Sequence, residues 1–191
     1  MKKNVKVNAF IGEKDSIWAL YYKLMIKERL DVEILSKGKI AEIKVASKDY
    51  VHAIAIATEL VSKKQLENIA WVSPCGAIMT NNKGSMVKIH DNEEKKVVPV
   101  FTGASAIESN NVSAYLNAAG INSMNSIGDM GMWQVFVNSS DYFEAVNIGA
   151  KFVDGHDYRN FFWNAPTGQI MFNVKDVAKK ARTELDEVLE A

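Results

Sequence analysis

Val5, Val7, Ala9 and Ile11 alternate with Lys6, Asn8 and Phe10. A period of two sends successive side chains to opposite faces of an extended chain, so this stretch predicts a strand, ended by Gly12. The pattern then turns helical. Ile17, Tyr21, Leu24 and Glu28 share one face, with Trp18 and Met25 beside it and Asp15 or Ser16 placed to cap. Residues 32–35 and 40–46 return to extended patterns around the turn Lys37-Gly38-Lys39; in the second, Ala41, Ile43 and Val45 oppose Glu42 and Lys44. Ser47 opens a second helix lined by Val51, Ile54, Ala55, Thr58 and Val61, with Asp49 where the helix dipole favours an acid. Residues 1–68 thus predict an N-terminal β-α-β-β-α unit, packed closely on the rest of the chain because no Pro/Gly/Ser-rich linker intervenes.

Residues 69–72 and 77–80 are extended segments broken by Ser73-Pro74-Cys75-Gly76, and Asn81-Asn82-Lys83-Gly84 is turn chemistry. Residues 86–90 and 96–101 predict a hairpin across the polar turn 91–94. The run Val97-Val98-Pro99-Val100-Phe101-Thr102-Gly103 reads as a strand buried on both faces. Pro99 has no N–H to donate, which places it on an edge or in a strand paired on one side only at that point. Thr102 is expected to cap a short helix at 104–108, followed by a second helix at 112–119 stopped by Gly120. Residues 122–131, rich in Asn, Ser, Gly and Met, predict a mobile loop. A strand at 132–137 leads to a helix from Asn138-Ser139-Ser140 to about residue 147, with Gly149 as its stop. Residues 151–153 and 161–163 read as strands around the turn Asp154-Gly155-His156-Asp157, then a strand at 169–173 and a final helix striped by Val177, Ala181, Leu185, Val188 and Leu189. No sustained internal repeat is apparent. The expected class is α+β, a mixed but mostly antiparallel sheet with helices packed on it, divided into residues 1–68 and 69–191.

Several features of the second part form a recognisable order. They are Trp71-Val72, then Val97-Val98-Pro99-Val100-Phe101-Thr102 leading to a helix, then Trp133-Gln134-Val135-Phe136-Val137. The helix at Asp141-Tyr142-Phe143 comes next, with Pro166-Thr167-Gly168-Gln169 before the last strand and helix. This order, over residues 69–179, resembles the N-terminal domain of the SseB family. The resemblance implies an α+β domain with a non-catalytic role and brings no catalytic residues with it. The family has an Asn-Pro or Pro-Gly turn late in the domain, where this chain has Asp154-Gly155-His156-Asp157 followed by aromatics.

Charge narrows the function classes. Lys+Arg and Asp+Glu each number 23 in 191 residues, for a formal net charge of +0. Nucleic-acid binders carry a basic excess or stripe, so no nucleic-acid partner is expected. A single cysteine, Cys75, forbids an internal disulfide and fits a reducing compartment. No apolar run approaches the roughly 20 residues of a membrane span, and Met1-Lys2-Lys3 is not followed by a leader-like apolar segment. A cytoplasmic protein without membrane partners is the expectation.

The candidate chemistry is sparse. Asp154, His156 and Asp157 are the one tight set of metal-ligand residue types, although Asp-Gly is also ordinary turn chemistry. Cys75 needs a base such as His52, His90 or His156 to act as a nucleophile. Gly128-Asp129-Met130-Gly131 matches neither the dinucleotide-binding nor the P-loop spacing, so no cofactor is expected. Tyr158, Arg159, Phe161, Phe162 and Trp163 form the densest aromatic cluster, of the residue types enriched at interface hot spots. Met130 and Met132 are placed to add adaptable apolar contact. The favoured expectation is a non-catalytic interaction or accessory protein, binding a protein partner or itself as a homodimer. The alternative is a small hydrolase or transferase using Asp154, His156 and Asp157, or Cys75.

Overall fold

The alternating stretch near the start of the chain forms β1 (Lys6–Glu13), and it becomes the middle strand of a sheet. In this computed structural model the described residues are 5–74, 76, 78–80, 97–128, 131–158, 160–166 and 170–171. They fall into two compact units, residues 1–89 and 90–191.

In the first unit, β1 is followed by α1 (Lys14–Tyr22), which runs into a π-helical turn at Lys23–Lys27. A hairpin of β2 (Val32–Lys37) and β3 (Ile40–Ala46), then α2 (Tyr50–Ser62), β4 (Ile69–Val72) and β5 (Ile78–Thr80), complete it. The sheet order is β2-β3-β1-β4-β5, and all its pairings are antiparallel. Phe10, Ile43 and Val45 on the sheet and Ile17, Leu20, Leu24, Tyr50 and Ile54 on the helices are buried. Removing that apolar area from water is the main term holding the unit together. Lys6 reaches across β3 to Asp31 and Glu33 at 2.8 and 2.9 Å. Its hydrogen bonds to those carboxylates hold its ammonium above the usual lysine range. That small contribution is present below the ordinary lysine value and is lost as pH rises through the raised one.

The second unit contains β6 (Val97–Gly103), α3 (Ala106–Ala118), β7 (Ser123–Ile127), β8 (Trp133–Asn138), α4 (Tyr142–Gly155), β9 (Phe161–Asn164) and β10 (Ile170–Met171). Its antiparallel sheet has the order β7-β8-β6-β9-β10, element for element that of the first unit. The protein is therefore α+β, with helices packed on two five-stranded sheets. It also contains an internal structural repeat, which corrects the expectation of none. Phe10 pairs with Trp71 as Phe101 pairs with Trp163, and a bulge precedes each phenylalanine. A turn of 3-10 helix ending in Asp-Tyr introduces both α2 and α4. The two tyrosines are fully buried and donate to equivalent carbonyls, Tyr50 to Val72 at 2.5 Å and Tyr142 to Asn164 at 2.6 Å. Trp71, Pro74, Gly76, Ile78 and Met79 recur at one constant spacing as Trp163, Pro166, Gly168, Ile170 and Met171.

The tyrosine tie makes a simple test. In Tyr142→Phe the Asn164 carbonyl loses its hydroxyl donor inside the protein, which is expected to destabilise the second unit by about 1–2 kcal/mol in urea unfolding. A loss under about 0.5 kcal/mol would mean that packing alone holds α4 to β9.

Several expectations are corrected by these pairings. The boundary at 68/69 falls inside the first sheet, because β4 pairs with β1. Residues 104–119 hold one helix, not two, and its cap is Ser105, whose Oγ accepts from the Glu108 N–H at 3.3 Å. Thr102 turns inward instead and donates to Asn164 Oδ1 at 2.9 Å. The predicted loop at 122–131 contains β7, hydrogen-bonded along β8. Gly149 does not end α4, and residues 151–153 are helical. Pro99 does sit where β6 pairs on one side only: it faces Phe136 of β8, while pairing with β9 begins at Phe101. The hairpin expected over 86–101 and the final helix lie outside the described residues, apart from the stretch that forms β6.

Candidate functional site

Because α4 runs past Gly149, Phe152 and His156 lie one turn apart on one of its faces. Asn111 and Tyr115 have the same spacing on α3, which packs beside α4. The result is a run of aromatic rings at the surface. Tyr115 stacks on Phe152 with centroids 4.4 Å apart, and Phe152 meets His156 at 4.0 Å. Tyr158 stands edge-on to Phe152 at 6.1 Å and lies 5.7 Å from His156. Asn111 Nδ2 donates to the Tyr158 hydroxyl at 3.2 Å, tying α3 to the segment after α4. Tyr158 then leads inward to Phe161 at 6.1 Å, and Phe161 to Phe101 at 5.5 Å. Ring pairs of this kind contribute about 0.5–1.5 kcal/mol each beyond their buried area, so the surface rings are held in place by the core. Tyr115 nevertheless remains 42 % exposed.

The expected aromatic cluster therefore divides. Phe161 and Trp163 are core residues, 3 % and 2 % exposed, facing the helices. They are not available to a partner, because alternate positions of a strand that packs under helices must be filled. Phe162 and Met132 are half-buried and Tyr158 is half-exposed in the ring stack. Arg159, Met130 and Cys75 lie outside the described residues. The sequence pattern does not single out Tyr115 or Phe152. With residues 151–153 read as a strand, the helical spacing that unites Phe152 and His156 is hidden.

The Asp154-Gly155-His156-Asp157 turn has its own structural employment. Asp154 is in the last turn of α4, His156 caps it and donates from Nδ1 to the Phe152 carbonyl at 2.8 Å, and Asp157 takes a left-handed conformation at φ 52°. Among the described residues, no group of three or more His, Cys, Asp or Glu side chains converges to hold a metal ion. The buried hydroxyl of Thr102 accepts from Gln134 Nε2 at 3.4 Å and donates to the Asn164 amide oxygen. An amide cannot take a proton as a base does, so this arrangement does not activate a nucleophile.

The first unit has a ring cluster of its own, in which Tyr22 is exposed and Trp18 and Tyr21 are half-buried. On α1, Trp18, Tyr21 and Tyr22 lie with ring centroids 5.5 to 5.9 Å apart. Exposed Met25 and Ile26 follow in the π-helical turn. No helix among the described residues is long and apolar enough to cross a membrane. Comparison with known proteins gives no match to the chain, whether among protein-family models, curated sequences or solved structures.

Proposed function

We propose that the chain is a non-catalytic, SseB-like interaction protein of the cytoplasm, which binds a protein partner or a second copy of itself through exposed aromatic side chains. The observation that carries this reading is the ring stack Tyr115–Phe152–His156–Tyr158, preassembled on α3 and α4 with Tyr115 open to solvent. Rigid aromatic anchors lose little conformational freedom on binding, and they dominate interface energies. The features that resemble the SseB family fall mainly in the second unit. The shared topology extends the same proposed relationship to the first.

The test pairs Tyr115→Ala with Tyr158→Ala and asks which proteins stay bound to the purified full chain, compared with the parent. Loss of two anchors of this kind is expected to weaken a protein contact by about 30-fold or more, with the far-UV dichroism unchanged. Native mass spectrometry carries the opposing outcome. A stoichiometric divalent ion that disappears in His156→Ala would overturn the interaction reading and favour the hydrolase or transferase alternative at Asp154, His156 and Asp157.

A further inference from the structure

The sheet of the first unit ends in β2, Val32-Glu33-Ile34-Leu35-Ser36-Lys37, which pairs with β3 on one side. The Ala46 N–H donates to the Asp31 carbonyl at 3.2 Å, so Asp31, and by alternation Glu33, Leu35 and Lys37, turn their backbone groups towards β3. The N–H and C=O groups of Val32, Ile34 and Ser36 therefore point out of the sheet. Among the described residues no hydrogen bond reaches them. The corresponding edge strand of the second unit, β7, is closed instead at Ser123, whose N–H and C=O both bond the Asn117 side chain.

Charged residues on an edge usually serve to keep other strands away. The charges of β2 are sorted by sign. Asp31 and Glu33 stand before Leu35, and Lys37 and Lys39 after it, at every second residue. Alternation puts Glu33, Leu35 and Lys37 on one face, away from Val32 and Ile34, which pair with the buried Val45 and Ile43. Lys6 holds both acids, Asp31 at 2.8 Å and Glu33 at 2.9 Å. Lys37 lies opposite the apolar Ile40 and has no ion pair among the described residues. At the centre of the pattern Leu35 exposes 52 % of its surface. Run in the opposite direction, the strand is its own complement: basic, apolar, acidic.

We infer that β2 pairs antiparallel with β2 of a second copy of this chain about a two-fold axis through Leu35, joining two five-stranded sheets into one. A two-fold axis sets each residue against the one equally far beyond the axis. Leu35 then meets its own copy, Ile34 meets Ser36 through the outward backbone groups, Glu33 meets Lys37 and Asp31 meets Lys39. An axis through Ile34 or Ser36 would set a charge against Leu35, and one through Glu33 or Lys37 would set like charges together. The charge order thus selects both the occupant and the register. Lys6 takes Oε1 of Glu33 and leaves Oε2 for Lys37 of the second copy. This surface is separate from the aromatic stack and does not depend on it.

The test is sedimentation velocity of the full chain, and the parent is expected to be a dimer at about 100 μM. Glu33→Lys sets like charges opposite each other twice, and so does Lys37→Glu. Each variant alone is expected to raise the dimer dissociation constant about 10- to 100-fold. An equimolar mixture of the two restores both opposite-charge pairs in a mixed dimer, which is expected to form with a constant within about fivefold of the parent. Both side chains are exposed, so folding should survive, and dichroism of each variant checks this. A parent that stays monomeric at about 100 μM overturns the inference and leaves the aromatic-stack reading standing. A dimer indifferent to both reversals overturns it too, and its loss in Tyr115→Ala would move the seam to the stack. Folded variants that fail to complement each other when mixed overturn the register and the second copy as occupant of this edge.

Discussion

Gly12→Ala should destabilise the first unit by about 2–3 kcal/mol, although alanine is by itself the better residue inside a strand by about 0.5–1 kcal/mol. Gly12 lies in β1 between Ala41 of β3 and Ile69 of β4. A Cβ there would meet Ile69 Cα at 3.1 Å and the Asn68 carbonyl carbon at 3.2 Å, with the Asn68 oxygen closer still. These are backbone atoms, so no rotamer change makes room. The Asn68 carbonyl is itself fixed, accepting from the Glu13 N–H at 3.1 Å, and Asn68 takes the left-handed conformation at φ 56°. Relief requires β4 to draw away from β1, which loosens the pairing that brings Trp71 into the core. Denaturant unfolding, with amide exchange in β1 and β4 to locate the loss, checks this. A change under about 1 kcal/mol would mean that the two strands can part without cost.

Gly149→Ala should destabilise the second unit by about 1–3 kcal/mol, against a gain in helix propensity of about 1 kcal/mol. A Cβ at Gly149 would lie 2.8 Å from Cζ of Phe101 and closer to Cε2. The equivalent position of α2 is Ala57, which is buried in its own unit. The difference between the units is one strand away. Phe161 lies against Phe101, and its counterpart in the first unit is the smaller Ile69 of β4. With the larger Phe161 ring on one side of it, Phe101 lies so close to α4 that only glycine fits at 149. Phe161→Ile in the Gly149→Ala background should therefore recover part of the loss, giving a coupling of about 0.5–3 kcal/mol in a double-mutant cycle. Additive losses would show that the two positions do not compensate.

The same glycine shows why the sequence is legible in some places and not others. Residues 40–46 alternate cleanly because one face of that strand is buried under helices and the other is not, and β3 has the bounds its pattern predicts. At Gly149 the local preference points to a helix end, while the requirement that decides the matter is a ring from a distant strand. A stop placed there makes residues 151–153 look like a strand and separates Phe152 from His156. β7 looks like a loop because Ser123 and Asn125, its helix-facing residues, are small and polar. They are met by Ser113, Asn117 and Asn110 rather than by apolar side chains, so no hydrophobic period marks the strand. The internal repeat is faint in the sequence for a related reason. Its identities sit at a few positions where geometry is strict, such as Tyr50 and Tyr142 or Trp71 and Trp163, while the helix faces between them diverged. Ile17 has Ser109 as its counterpart, both fully buried.

In each unit the strand made first, β1 or β6, ends in the middle of its sheet, between partners made later. Synthesis on the ribosome therefore leaves it waiting. From Glu13 to the end of β3 the delay is roughly 2–7 s at the usual rate of elongation. Until β3 is made, β1, carrying Val7, Phe10 and Ile11, has no strand to pair with. The nascent chain thus presents an apolar strand twice, once per unit, each time for long enough to be met by a chaperone before β3 or β8 arrives to claim it.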